Sequence, residues 1–329
     1  MEHRARNLIS SGGIPVHSSL PATLRVGTMT RTRSRTLVLW SLLAIAFGLA
    51  WSASRAFAAT LYVDQNGVGG SPDDSRSYTI AQNPSTPVAT IERGIALAQS
   101  GDVVMVRRAT FSRTRPLGLG KANITVKAAP GELVVLDFSG ATSGNGVNFG
   151  ADGVTLEGFE IRNAPEEGVS TWSTNNSVVR GNHIHHCGLV LVNGKYQNGV
   201  TGYGTYVTIE QNVIHDTGSH NIYVYGDHIT IRNNVVYKTI APADRGSYVI
   251  QVGTPGANCT NITIAHNVLA ESINRSAIVF YATNATVSNV AIVNNVMAKN
   301  ANNPVYVYDD VGTTYSGIQI KNNVFSGNG

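Results

Sequence analysis

Charge is scarce in this chain. Only 13% of its 329 residues are charged, aromatics make up 7%, and there are two cysteines. So few charges, with 34 glycines and Asn, Thr and Val crowding the second half, suit strands joined by tight turns better than a helical bundle. The formal charge of +4 implies no anionic partner: seven of the 24 basic and one of the 20 acidic residues lie in 1–58, which leaves 17 against 19. That balance removes the electrostatic case for nucleic-acid binding. No apolar run reaches the ~20 residues of a spanning helix; Leu37–Trp51, broken by Ser41, has 15. The two cysteines, Cys187 and Cys259, fall on different corners of the repeat described below and more than two repeats apart. That is beyond the ~7 Å a disulfide spans, so both are expected as free thiols. Phosphate loops, nucleophile elbows and Cys-His zinc spacings are missing.

The leader is read as residues 1–58. Arg31, Arg33 and Arg35 precede the apolar run, and Ala56-Phe57-Ala58 forms a small-residue cleavage site. Met29 sits just before it and is an alternative start. The mature chain is therefore expected to be secreted, extracellular or periplasmic, without a transmembrane anchor.

A repeat decides the fold. Val154–Ile161, Ser177–Ile184, Val207–Ile214, Ile229–Val236, Ile262–Leu269, Val290–Met297 and Ile318–Phe325 align without gaps. In all but the first, the sixth position is Asn: Asn182, Asn212, Asn234, Asn267, Asn295 and Asn323, spaced by 30, 22, 33, 28 and 28 residues. Positions one and three are apolar with polar residues between, a period of two. One unit cannot bury its apolar edge alone, but stacked units can, with loops of variable length hanging from a constant coil. Asparagines at one corner would exchange amide hydrogen bonds up the stack. A further strand per coil, in 146–150, 168–173, 198–204, 221–226, 248–254, 277–283 and 304–310, makes three. The fold class is all-β: a right-handed parallel β-helix over 121–329, entered through a strand and capping helix in 59–120.

This pattern resembles the parallel β-helix repeats of pectate lyases and related polysaccharide-processing proteins. Residues 87–106 are similar to that family's opening element, an amphipathic helix followed by a Gly-Asp turn, with Thr90 as N-cap and Ile91, Ile95 and Ala98 on one face. Ala109-Thr110-Phe111 stands where the family usually has a Gly-Tyr pair. The coil at Gly329 carries no polar cap, so a longer chain, a further domain or a partner is expected there.

Parity places side chains. Trp172, Tyr203, Tyr223, Tyr225, Tyr281, Tyr306 and Tyr308 are expected outside, with Thr201 and Gln251 among them, as a stripe that stacks on sugar rings. The rival reading is that Tyr simply favours strands. Beyond the Asn motif, one outward column reads Arg162, His185, His215, Tyr237. The next reads Asn163, His186, Asp216, Lys238, Glu271, Lys299, whose alternating signs read as a surface salt-bridge ladder. The sharper reading takes His185, His186, His215, Asp216 and His220 as a reaction site near Tyr223 and the loop bearing Lys195 and Tyr196. Cleaving an acidic polysaccharide by β-elimination needs a base, a cation on the uronate and an acid for the leaving oxygen. His215 or Lys195 would be the base, Arg245 or Lys238 the cation, and Tyr223 the acid. The expectation is a lyase-type enzyme acting on a polysaccharide or cell-surface glycan, against a non-catalytic glycan-binding or scaffold protein.

The family's chemistry is not matched. The resemblance implies calcium, but no acidic run resembles the calcium site of pectate lyases, and the Arg-x-Pro-x-x-Arg, Asn-Thr-Asp and Gly-His-Gly signatures are missing. Asp309-Asp310 reads as a solvated turn. His185, His215 and Asp216 as metal ligands are a weak signal, and no metal site is assigned.

Overall fold

The computed structural model describes residues 58–240, 246–308 and 311–329. The expected leader through Phe57, Arg245 and Asp309-Asp310 lie outside the described residues.

Every strand pairing joins parallel neighbours one coil apart, from Thr60–Val63 on Val103–Val106 to Thr286–Val293 on Thr314–Lys321. Three strand rows run up the coil. The first arms of the motif stack as Thr155–Glu157, Val178–Arg180 and Thr208–Glu210, and the second arms as Glu160–Arg162, His183–His185 and Val213–Thr217. The third row contains Val169–Ser170, Val200–Thr205, Ile250–Val252, Ile278–Phe280 and Val305–Val307. Ile222–Arg232 is long enough to serve the third row and the first arm at once.

The core follows from the period of two. Leu156, Val179, Ile209, Ile231, Ile264 and Ile292 form one fully buried column. Ile161, Ile184, Ile214, Val236, Leu269 and Met297 form the facing one. Each such side chain contributes about 1.5–3 kcal/mol by leaving water. At the mouth of the stack, α1 (Ile91–Leu97) is capped by Thr90, whose hydroxyl accepts from the Arg93 N–H at 3.2 Å; Ile91, Ile95 and Ala98 are buried.

The asparagines form the expected column. Nδ2 of Asn182 donates to Oδ1 of Asn212 at 3.2 Å, and the chain continues through Asn234, Asn267, Asn295 and Asn323 at 3.0, 2.9, 2.9 and 3.0 Å. Each Oδ1 also accepts the backbone N–H of the asparagine in the preceding coil, and each Nδ2 also donates to an earlier carbonyl such as Ile209 O. All amide valences inside the stack are thereby used. The residue before each ladder Asn (Gly181, Gln211, Asn233, His266, Asn294 and Asn322) has φ between 54 and 63°, the left-handed corner that turns one arm into the next. Cys187 and Cys259 are free and buried. Burial pushes their thiols up to about 12 and about 11, so neither is a reactive thiolate.

Candidate functional site

Two outer faces carry chemistry. On the second-arm row, His183 and His185 flank the buried Ile184 and so point to one side. Glu160 pairs with His183 from the coil before, and His215 with His185 from the coil after. The rings of His185 and His215 stack at 5.2 Å and 4°, and His183 lies 4.5 Å from one and 5.0 Å from the other. His183 Nε2 meets His215 Nε2 at 2.8 Å, and His185 Nδ1 meets His186 Nδ1 at 2.7 Å.

Charged residues brace this patch from both sides. His215 Nδ1 lies 2.7 Å from Asp216 Oδ2, and Lys238 Nζ lies 2.7 Å from Asp216 Oδ1. Glu160 Oε1 accepts from Arg162 Nη1 at 2.8 Å, and Arg162 Nη2 donates to Asp137 Oδ2 at 2.9 Å. The carboxylate at Nδ1 assigns the proton there, leaving His215 Nε2 as acceptor and His183 Nε2 as donor. Burial and the neighbouring imidazoles pull His183 below its ordinary value and His185 to about 4. Burial alone would raise Asp216, but Lys238 and His215 hold it below the usual carboxylate range. The Asp216–Lys238 pair agrees with the salt-bridge reading of that column. Its members Asn163, His186, Asp216, Lys238, Glu271 and Lys299 share φ of 52–60°, a second left-handed corner.

The third row carries the aromatic stripe. Trp172 packs edge-on to Tyr203 at 5.5 Å, Tyr203 stacks on Tyr225 at 4.3 Å, and Tyr225 lies 5.2 Å from Tyr223. His220 continues the train, 6.0 Å from Tyr223 and 5.6 Å from Tyr248. Tyr248, Arg275, Tyr306 and Tyr308 then line a groove of about 320 Å³, with Tyr281 5.2 Å from Tyr308. Parity is right here but exposure is not. Tyr225, Thr201 and Gln251 are buried at 8%, 2% and 9%, because flanking rings and polar partners cover them. Thr201 accepts from Asn198 Nδ2, and Gln251 Nε2 donates to Gly253 O. Trp172, Tyr306 and Tyr308 stay exposed.

The stripe has its own titratable groups. His220 Nδ1 accepts the Tyr248 N–H at 3.0 Å, which places the proton of the neutral ring on Nε2. Burial lowers this histidine to about 4. Burial also raises Tyr223, and raises Glu167, whose carboxyl reaches Thr201. Because the native His220 pKa lies below the unfolded one of about 6.5, its contribution to stability is complete above that value and is lost as pH falls toward about 4. His220→Asn, whose Oδ1 replaces Nδ1 as acceptor, is expected to flatten the fall of melting temperature across this window.

The sequence-derived set thus splits in two. His185, His215, Asp216 and Lys238 gather on the second-arm row, while His220 and Tyr223 gather on the stripe. Lys195 stands exposed in a small antiparallel turn opposite Val192, and among the described residues no hydrogen bond or ion pair joins its side chain to either group. Glu160, His183, Glu167, Tyr248 and Arg275 were not singled out. For two of them a signal existed: the seventh motif position is Val213, Val235, Val268, Val296 and Val324 elsewhere, but Glu160 and His183 here.

Among the described residues, the clustered ligand side chains do not fit calcium. It takes six to eight oxygens, whereas the one group of three clustered ligand side chains among the described residues is Glu160, His183 and His185. No helix among the described residues is long and apolar enough to cross a membrane.

The model of the right-handed β-helix region matches residues 93–284. No curated protein matches in sequence. Similar solved structures include a pectate lyase (Pel9A), with TM-score 0.50 and 14% identity, over 82% of this chain and 80% of that one. The complex of XylC with xylose gives 0.52 and 12%, over 79% and 70%. A lacto-N-biosidase of Eubacterium ramulus gives 0.51 and 12%, over 88% and 70%. At these identities the likeness is one of fold, and with the matched region spanning most of the stack the chain belongs to the right-handed β-helix family.

Proposed function

We propose that this is a secreted carbohydrate-active protein that lays an acidic polysaccharide along the stripe and cleaves it by lyase-type elimination. The carrying observation is the train of rings from Trp172 through Tyr203, Tyr225, Tyr223, His220 and Tyr248 to a groove holding Arg275. Flat rings stack on sugars while their hydroxyls hydrogen-bond, and a guanidinium is a fitting partner for a uronate carboxylate. Elimination passes the C5 proton to a base, for which Lys195 is the candidate, and expels the C4 oxygen, which must be protonated as it leaves. Phenols such as Tyr223, held protonated by burial, suit that donor role. Arg275, in place of Arg245 or Lys238, takes the neutralising role. Export is supported by the leader's basic, apolar and small-residue order.

One observation favours binding without cleavage. The basic nitrogen of His220 is occupied by a backbone N–H, and both nitrogens of His215 are engaged. The mature chain offered a panel of uronate polymers should generate unsaturated ends, read by ultraviolet absorbance. Retention of a polymer without product supports the binding reading, and neither retention nor product overturns both. Trp172, 63% exposed at the end of the train, reports on the face itself. Trp172→Ala is expected to weaken polymer retention about tenfold in affinity electrophoresis, through lost stacking and apolar contact.

A further inference from the structure

We propose that Glu160, His183, His185 and His215 form a binding site for a zinc-class divalent cation on the second-arm face. It stands independently of the glycan reading, which uses another row of strands.

The argument begins with the backbone. Two histidines at i and i+2 of one strand present imidazoles side by side, and parallel register brings Glu160 and His215 against them from the coils on either side. One ligand atom each from Glu160, His183 and His185 already lies within 4.8 Å of the others. His215 adjoins this trio without belonging to it: its Nε2 is 2.8 Å from His183 Nε2, and its ring turns off the His185 stack to become the fourth ligand. Zinc in a tetrahedron, with bonds of about 2.0–2.1 Å, separates ligand atoms by about 3.3 Å. Closure therefore draws the carboxylate and His185 inward and parts the His183–His215 pair by a few tenths of an ångström. The proton shared by that pair leaves as the cation enters.

The surroundings match what metal-bound imidazole and carboxylate need. Asp216 holds His215 by Nδ1, so that Nε2 faces the site, and Lys238 holds Asp216 in turn. Arg162 fixes Glu160 through one oxygen and is itself fixed by Asp137. Three imidazoles and one carboxylate are a donor set for zinc or its borderline neighbours, and a poor one for calcium or magnesium. The repeat supplies a further indication. Elsewhere the seventh position is valine, more than a third exposed at Val235, Val268, Val296 and Val324. Packing therefore demands no ligand-bearing side chain at Glu160 or His183.

The test uses the untagged chain, stripped with chelator, equilibrated with zinc and passed over a desalting column. About one zinc per chain should be retained, and cobalt in its place should give the visible absorption of a four-coordinate ion. His183→Val, which installs the residue the other coils carry, should fold as before and bind at least tenfold more weakly. Asp216→Asn, outside the ligand set, should weaken binding about 10–100-fold. Zinc should raise the melting temperature of the parent but not of His183→Val, and polymer retention should be unchanged in both variants. No retained zinc in the parent, or equal retention by His183→Val, overturns the site.

Discussion

Asn234→Leu is expected to lower the melting temperature by about 10 °C. Asn234 sits mid-column, 1% exposed. Its Nδ2 donates to Ile209 O and Asn267 Oδ1, and its Oδ1 accepts from both the backbone N–H and the Nδ2 of Asn212. Leucine keeps the branched skeleton, with bulkier methyl ends, but strands a buried carbonyl, a buried N–H and an amide edge, each costing about 1–3 kcal/mol. A total near 4 kcal/mol, at about 2–4 °C per kcal/mol for a domain of this size, gives the expected shift. Asn323→Leu is the control. Asn323 is only partly buried, so water replaces much of what it loses, and its shift should be a few degrees. Equal, small shifts at the two positions would show that the amide column contributes little to cohesion.

The second large effect is expected at Gly204. Its φ is +144°, and a Cβ there would lie 1.9 Å from the Thr174 carbonyl oxygen, a backbone atom with no room to yield. Gly204 is in register with Gly226, at φ +131°, where a Cβ would meet Gly204 O at 2.2 Å. Both glycines line a groove of about 320 Å³ with Tyr203, Asp227 and Thr260. Gly204→Ala should therefore cost more than about 3 kcal/mol, combining an unfavourable φ with a displaced strand. It should also tilt Tyr203 off Tyr225 and reduce polymer retention in whatever fraction folds. Gly118→Ala is the contrast: nothing lies within 4 Å of its would-be Cβ and its φ is not positive, so its melting temperature should stay within about 2 °C of the parent. Comparable melts for the two variants would remove the argument from backbone crowding.

The architecture was legible because the constraint recurs. Six asparagines at one motif position can only be satisfied by stacking, and alternation then sorts inner from outer residues. The sites were less legible, for physical reasons that differ from residue to residue. Parity placed Tyr225, Thr201 and Gln251 on the outer side, but it carries no information on how far neighbouring rings close over them. In the sequence, the concentration of histidines in two adjacent coils puts His215 and Tyr223 in one reaction centre. They belong to different strand rows, and His220 is the histidine that meets the stripe. Arg275 and Tyr248 line the same groove from neighbouring coils, and no spacing in the sequence announces that meeting. Glu160 and His183 were hidden in the opposite way, by a repeat position whose usual occupant is an unremarkable valine.

The amide column has an implication for how such a molecule can vary. Register is locked at one corner of each turn from Asn182 to Asn323, so the segments between successive asparagines can lengthen or shorten, from 22 to 33 residues here, without a slip being passed along the stack. The rigid spine and the excursions that overhang its outer faces are mechanically separate. New recognition surfaces can thus be acquired by exchanging excursions on an unchanged support.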